Sequence, residues 1–177
     1  MRQADRLTVI RWQFDMTWML ASRAHLPHLT DEACLWKPAA GSWTVAPDDE
    51  GQWRPDWSDE EPGPAPPVTI GWLSWHLIWW WSELLDRLQG SEPAARETVL
   101  WPGSADAVRA RLNDLHQAWT QFTGGLDDAA LDRPFAHPWP EKRPLIYALT
   151  WANTELMKNV AEIGLVRHQY EAAHRTH

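Results

Sequence analysis

Cysteine is nearly absent from this sequence, since its 177 residues contain only Cys34. A single cysteine cannot form an intramolecular disulfide, so the fold must be stabilised by a hydrophobic core. Long apolar runs are also missing. The most apolar stretch, 68–81, has about 14 residues and includes a histidine, whereas a membrane helix requires roughly 20 apolar residues. The sequence therefore predicts a buried helix at this stretch and no membrane partner.

Basic residues are scarce relative to acidic ones. The chain has 16 Lys and Arg against 24 Asp and Glu, a formal net charge of -8 and a pI of about 5.4. Affinity for phosphate backbones requires clustered Lys and Arg, so we expect no nucleic-acid partner. Charges also occupy the N-terminal segment 1–12, where a secretory signal would need an apolar run. The expected location is the cytoplasm.

Tryptophan is the residue in excess. The chain contains 15 Trp against 2 Tyr and 3 Phe, and several of them crowd into WLSWHLIWWW at 72–81. Rings of this size indicate either a large core or a pocket with aromatic walls. Both interpretations stay open for a chain of this length.

Apolar residues recur at three- and four-residue spacing in four long segments, which is typical of amphipathic helices. The predicted helices are 4–25, 69–89, 104–122 and 144–170. Boundary signals agree with these ranges: Pro27 follows the first helix, Thr69 and Ser104 can cap the second and third, and Pro144 suits a first turn. A short helical turn is predicted after Thr30.

The connection over 39–67 is rich in Gly, Pro, Asp and Glu and has no lasting period. Loops of this length are uncommon in compact domains unless they are functional or disordered, and Trp43, Trp53 and Trp57 favour a loop that packs against the rest of the chain. No strand signal lasts beyond about four residues. The predicted fold is therefore all-α: a single domain over 1–177, built as a four-helix bundle with a long Trp- and Pro-rich connection between the first and second long helices.

Polar residues interrupt the apolar face of the last helix. Trp151, Glu155 and Asn159 are spaced four apart, and Glu162 extends the same stripe. Helical bundles build metal or catalytic sites in their cores from an acid and an amide one turn apart on one helix and a histidine on the facing helix. His76 on the second helix is the candidate histidine. The alternative is a core histidine that is satisfied by one hydrogen bond.

Several segments resemble the DinB-like superfamily, and the resemblance covers nearly the whole chain. They are Trp36-Lys37-Pro38 followed by Gly41-Ser42-Trp43-Thr44-Val45, TIGWLSWHLIWWW at 69–81, WPGSADAV at 101–108 and NTELMKNVAEIGLVRHQY at 153–170. The resemblance implies a four-helix bundle, often dimeric, in which one histidine of the second helix and two of the last hold a divalent metal such as zinc or nickel. His76 matches the first ligand. Glu155 and Asn159 occupy the places of the other two, which departs from the pattern.

The departure weakens the expected metal site. Glutamate is a competent ligand for zinc, but a neutral amide oxygen is a poor one, so a His/Glu/Asn set should bind zinc or nickel weakly or not at all. Lys158 lies about 100° around the helix from Asn159. Its ammonium either points to solvent, as most lysines do, or turns toward Glu155 and replaces the ion electrostatically.

The remaining predicted pocket residues lie on the same helix faces or in the connecting loop. They are Trp43, Trp72, Trp79, Trp151, Lys158 and Glu162. Cys34 is left outside the site because it lies in an amphipathic turn, where a small buried hydrophobe is typical.

The resemblance implies thiol-dependent S-transferases and isomerases that use low-molecular-weight thiols such as bacillithiol or mycothiol, with the metal activating the thiol. One hypothesis is therefore a metal-assisted thiol S-transferase. A second is a non-catalytic small-molecule-binding or stress-associated dimeric bundle that has lost metal binding. A third is a dimeric scaffold, whose trace would be large exposed apolar patches. A homodimer is expected because so many tryptophans exceed what one small subunit can bury.

Overall fold

The computed structural model describes residues 5–60 and 63–175, and most of them are helical. The helices are α1 (Arg6–Leu20), α2 (Asp31–Leu35), α3 (Ile70–Leu88), α4 (Ala105–Gly124) and α5 (Leu145–Ala173). Short antiparallel strands form two small sheets, in which β1 (Val45–Pro47) pairs with β2 (Trp53–Pro55) and β3 (Pro134–Phe135) pairs with β4 (Arg143–Pro144). The all-α prediction describes most of the chain and is wrong for these two hairpins. No helix within the described residues is both long and apolar enough to span a membrane.

The predicted capping side chains form hydrogen bonds at the N-termini of their helices. The side chains of Thr30, Thr69 and Ser104 each accept a hydrogen bond from the backbone N–H three residues later, at 3.2 Å in each case. Each such cap contributes about 1 kcal/mol. The starts predicted for α3 and α4 are confirmed by these contacts.

The first helix is shorter than predicted. The sequence indicates a helix over 4–25, but α1 ends at Leu20 and continues as one wide π-helical turn, Ala21–His25, followed by a 3-10 turn, Leu26–His28. Residue 4 lies outside the described residues. Proline has no backbone N–H, so Pro27 prevents a regular continuation. The wide turn also brings the His25 ring so close to Gly164 that a Cβ built there would lie 2.6 Å from it.

The four long helices share one core. Helix α5 packs against both α1 and α3, and α4 packs against α3. The α1–α5 contact includes a buried amide, since Asn153 Nδ2 donates to the backbone oxygen of Ile10 at 3.1 Å and to Gln13 Oε1 at 2.9 Å. Aromatic rings join α1 to α4: the ring centroids of Phe14 and Trp119 are 4.8 Å apart. Helices α3 and α5 are thus held firmly enough to position side chains between them.

The long connection between α2 and α3 contains the β1–β2 hairpin. The Asp48 carboxylate accepts hydrogen bonds from the backbone N–H groups of Glu50 and Gln52, and its other oxygen lies 2.6 Å from Arg54 Nε. Trp53 then packs on a tryptophan that precedes α4, with ring centroids 5.1 Å apart. Strands of three residues are too short to give a visible period, which explains why the sequence did not predict them.

Candidate functional site

A pocket of about 280 Å³ lies between α3, α5 and the loop that joins β3 to β4. We call it the histidine pocket. Its lining residues are His76, Trp79, Trp80, Glu83, His137, Pro138, Trp151, Glu155 and Lys158. The structure therefore brings five of the sequence-predicted site residues to one cavity: His76, Trp79, Trp151, Glu155 and Lys158.

Helical spacing explains why these side chains meet. On α3, Trp79, Trp80 and Glu83 follow His76 by three, four and seven residues, which places them on one side of the helix. On α5, Glu155 and Lys158 follow Trp151 by four and seven residues. Because α3 and α5 pack against each other, the two faces enclose the pocket from opposite sides.

Lys158 and Glu155 form an ion pair at the pocket. Lys158 Nζ lies 2.6 Å from Glu155 Oε2, and the two side chains are 47% and 18% exposed. Lysine reaches the carboxylate because a three-residue step leaves the two side chains neighbours on the helix. The ammonium therefore neutralises the carboxylate that the sequence nominated as a metal ligand.

Asn159 is buried and its amide is engaged on both sides. Its Oδ1 accepts a 2.9 Å hydrogen bond from Trp80 Nε1, and its Nδ2 donates to Glu162 Oε2 at 3.2 Å. Glu162 thus contacts the Asn159 amide and does not line the histidine pocket. The amide oxygen, the only atom of Asn159 suited to a metal, is already used by a donor from α3.

His76 is held as a neutral imidazole. Its pKa is lowered to about 4, mainly by burial and secondly by the Lys158 ammonium, while the Glu155 carboxylate and the Asn159 side chain act in the opposite direction. Its Nδ1 is buried and has no hydrogen-bond partner among the described residues. A buried ring nitrogen without a partner costs free energy that a bound molecule can recover.

This arrangement does not fit a divalent ion. The Glu155 carboxylate is paired with an ammonium, and the Asn159 oxygen accepts from an indole. Over residues 5–60 and 63–175, no group of three or more His, Cys, Asp or Glu side chains is arranged to hold a metal. Of the three predicted ligands, His76 has a ring nitrogen without a partner in the described chain, whereas one Glu155 oxygen is paired with Lys158 and the Asn159 oxygen with Trp80.

His137 and Glu83 belong to the pocket although the sequence did not nominate them. His137 Nδ1 lies 3.9 Å from Glu83 Oε1, and its ring meets Trp151 edge-on with centroids 5.7 Å apart. Burial is the largest cause that lowers the pKa of His137, and its Nε2 has no partner within the described chain. Glu83 could have been found from its spacing to His76. His137 lies in a loop, so no local pattern reveals it.

Trp43 and Trp72, predicted as pocket walls, do not line the histidine pocket. They line a second cavity of about 350 Å³ together with Trp57 and His76. The Trp72 ring stacks on the His76 ring with centroids 5.2 Å apart and planes 9° apart. His76 is thus a wall shared by two cavities, and the stacked Trp72 ring packs against the face of its imidazole.

Cys34 takes no part in the site. The residue is fully buried, and burial raises the pKa of its thiol to about 12. A thiol with such a pKa is protonated at neutral pH and is not a nucleophile. This agrees with its interpretation as a small buried hydrophobe.

The sequence was compared with protein families, curated proteins and solved structures, and one family matches. No curated protein and no solved structure matches the chain. The sequence model that describes the DinB superfamily matches residues 13–163, a range that begins in α1, ends in α5 and includes His76, Glu155 and Asn159. The chain belongs to the DinB superfamily.

Proposed function

We propose that this protein is a DinB-like four-helix bundle that binds a small molecule in the histidine pocket, with the Lys158 ammonium taking the electrostatic role of a metal ion. One observation carries the proposal: Lys158 Nζ lies 2.6 Å from the Glu155 carboxylate. A carboxylate that is paired in this way has little left to offer a divalent cation. The proposed function is therefore that of a binding protein without a resident metal. Its proposed location is the cytoplasm, as the sequence predicts.

The walls of the pocket indicate the class of ligand. Three indole rings, those of Trp79, Trp80 and Trp151, supply apolar surface. The charges are balanced in pairs, because Glu155 contacts Lys158 and another wall residue, Glu83, contacts Arg87 on the same helix at 2.9 Å.

The side chains proposed to form hydrogen bonds with the ligand are the two histidines of the pocket. His76 and His137 both have a lowered pKa and a buried nitrogen without a partner in the described chain. A volume of about 280 Å³ admits only a small ligand. The pocket therefore suits a small, largely neutral molecule with a flat apolar body and a group that hydrogen-bonds to imidazole.

A metal-assisted thiol S-transferase is the second candidate. The unpartnered Nδ1 of His76 beside Glu155 favours it, since imidazole and carboxylate are ordinary ligands of zinc. In this function the ion would compete with Lys158 for the Glu155 carboxylate, and the Asn159 oxygen would have to leave Trp80 in order to serve as a ligand. It therefore needs a rearrangement that the first candidate does not.

Two measurements separate the candidates. Elemental analysis of protein purified without an affinity tag should find zinc and nickel far below one equivalent per chain. Saturation-transfer NMR with benzimidazole and indole as probes should detect binding to the wild type that His76→Ala removes and His28→Ala, at an exposed histidine, retains. One equivalent of zinc or nickel would favour the transferase. Probe binding that survives His76→Ala would refute the proposed pocket.

A further inference from the structure

Three tryptophans meet in the second cavity that His76 lines. This cavity has a volume of about 350 Å³, and its indole walls are Trp43, Trp57 and Trp72. The ring centroids of Trp43 lie 6.3 Å from those of Trp57 and 5.7 Å from those of Trp72, and the latter two are 6.5 Å apart. Each ring therefore neighbours both of the others. We call the three rings together the indole cage.

The β1–β2 hairpin brings Trp43 and Trp57 to the same place. The Asp56 N–H donates to the Thr44 backbone oxygen, and the Thr44 N–H donates to the Asp56 carboxylate, both at 2.8 Å. Trp43 precedes this pair and Trp57 follows it, so the antiparallel register of the hairpin places the two tryptophans opposite each other. Opposite residues of an antiparallel pair project from the same face.

Backbone contacts also tie the cage to the start of α3. The Trp43 N–H donates to the Pro67 oxygen, and the Trp43 oxygen accepts from the Thr69 N–H, both at 2.9 Å. Trp72 lies in the first turn of α3, and its Nε1 donates to the Asp56 backbone oxygen at 2.8 Å. These contacts hold the rings in place without a ligand. A cage that is preorganised in this way loses little conformational freedom when a molecule binds.

The groups around the cage favour a cation over an anion. Among the described residues that line the cavity, Asp59 is charged and no lysine or arginine is present. Trp57 Nε1 donates to the Asp59 carboxylate at 3.3 Å. The electropositive N–H edges of Trp57 and Trp72 are therefore both bound to oxygens of the chain. The faces of the rings are electronegative, and indole binds cations better than the other aromatic side chains do.

One ring of the cage already contacts a cation. The Arg96 guanidinium lies 4.3 Å from the centroid of the Trp57 ring, and its Nη2 lies 3.0 Å from Asp59 Oδ1. Arg96 lines a neighbouring cavity together with Trp57, but it does not line the cavity of the cage. The arginine also offsets part of the Asp59 charge. The attraction of the cage for a second cation must therefore come mainly from the three rings.

We propose that the indole cage binds a quaternary ammonium group. Such a group spreads its positive charge over methyl groups and has no N–H, so it fits apolar walls that offer few hydrogen bonds. Besides Asp59, the polar side chains of the cavity are the Ser58 hydroxyl and the neutral His76 imidazole. They are too few for the three donors of a primary ammonium. This site is additional to the histidine pocket, and the inference does not depend on the ligand of that pocket.

Calorimetric titration of the full chain with choline and with 3,3-dimethylbutan-1-ol tests the cage. The alcohol has the shape of choline, with a carbon atom in place of the charged nitrogen. We expect choline to bind at least about tenfold more tightly, because the neutral analogue lacks the cation–π attraction. Trp57→Leu should weaken choline binding at least about tenfold, and Trp57→Phe, which keeps an aromatic face, should weaken it less. Trp12→Leu, at an exposed tryptophan of α1, is the matched control and should bind choline as the wild type does.

Circular dichroism establishes that the variants are folded, as expected because Trp57 is 37% exposed. A wild type that does not bind choline, or that binds choline and the alcohol with equal affinity, would overturn the proposal. Choline binding that Trp57→Leu leaves unchanged would overturn it as well, because the cation would then lie elsewhere. Phosphatidylcholine vesicles distinguish two sources of the group. Cosedimentation that Trp57→Leu abolishes would support a lipid headgroup, and choline binding without cosedimentation would support a soluble molecule.

Discussion

Lys158→Ala removes the ammonium that pairs with Glu155, and it tests whether this lysine takes the place of an ion. The first expected consequence concerns His76. The Lys158 charge is the second-largest cause that lowers the pKa of His76, after burial, while the Glu155 carboxylate raises it. Without Lys158 only burial opposes the carboxylate, so the pKa of His76 should rise above about 4.

The second consequence is a stronger affinity for divalent cations. Two unit charges about 4 Å apart interact by about 4 kcal/mol near a protein surface. Because Lys158 is 47% exposed, solvent reduces the value of its ion pair to about 1 kcal/mol. An ion that no longer competes with this pair should bind more tightly by the same amount, which is roughly fivefold in Kd.

Isothermal titration calorimetry with zinc and nickel measures the affinity, and NMR titration of the imidazole carbon protons measures the pKa of His76. Lys142→Ala, an exposed lysine of the β3–β4 loop, is the matched control and should behave as the wild type in both measurements. If Lys158→Ala left both the Kd and the pKa of His76 unchanged, the ammonium would not be acting as a substitute cation.

Three further predictions follow from the same site. Asn159→His should tighten zinc or nickel binding at least tenfold in calorimetry because imidazole is a far better ligand than an amide, and His76→Ala should abolish whatever binding exists. If Asn159→His and the wild type bound the ions with equal affinity, position 159 would not be the family's ligand position. Trp80→Phe leaves the buried Asn159 oxygen without its donor, so urea titration should show a loss of about 2 kcal/mol in the free energy of unfolding. A loss below about 0.5 kcal/mol would contradict the importance of this hydrogen bond. Because the pKa of His76 is about 4 in the folded chain and about 6.5 in the unfolded chain, the unfolded chain binds more protons between these pH values. The free energy of unfolding of the wild type should therefore fall by about 3 kcal/mol relative to His76→Gln as the pH drops from about 7 to about 4. Parallel pH profiles of stability for the two proteins would contradict the lowered pKa.

The long helices could be predicted from the sequence because their signals are local. A capping side chain such as Thr69 or Ser104 acts within its own first turn, and the apolar period that follows reports which side is buried. The π-helical turn after Leu20 could not be predicted, since it depends on the fit of the His25 ring against Gly164 of another helix. The β1–β2 hairpin was missed because an Asp48–Arg54 contact and three-residue strands leave no periodic trace.

The site was predictable to the extent that helix geometry determines it. Spacing alone brings Glu155 to the pocket face, and the resemblance to a family selected His76. Spacing could not decide the direction of Lys158, because a side chain about 100° from Asn159 can turn to either side of the helix. His137 reaches the pocket from a loop between two short strands, so its position depends on tertiary structure.

The hydrogen bonds of the pocket argue against a metal site that is merely damaged. A site that had lost one ligand and nothing else would leave its other ligands without partners, and buried polar groups in that condition are costly. Here Asn159 is satisfied by Trp80, and Glu155 is satisfied by Lys158. Buried nitrogens without a partner in the described chain are instead His76 Nδ1 and His137 Nε2, and both residues belong to the lining of the histidine pocket. Neutral imidazole nitrogens form hydrogen bonds with donors and acceptors of small molecules. This distribution of partnered and unpartnered atoms supports the proposal of an uncharged ligand over that of a metal site that has only lost one ligand.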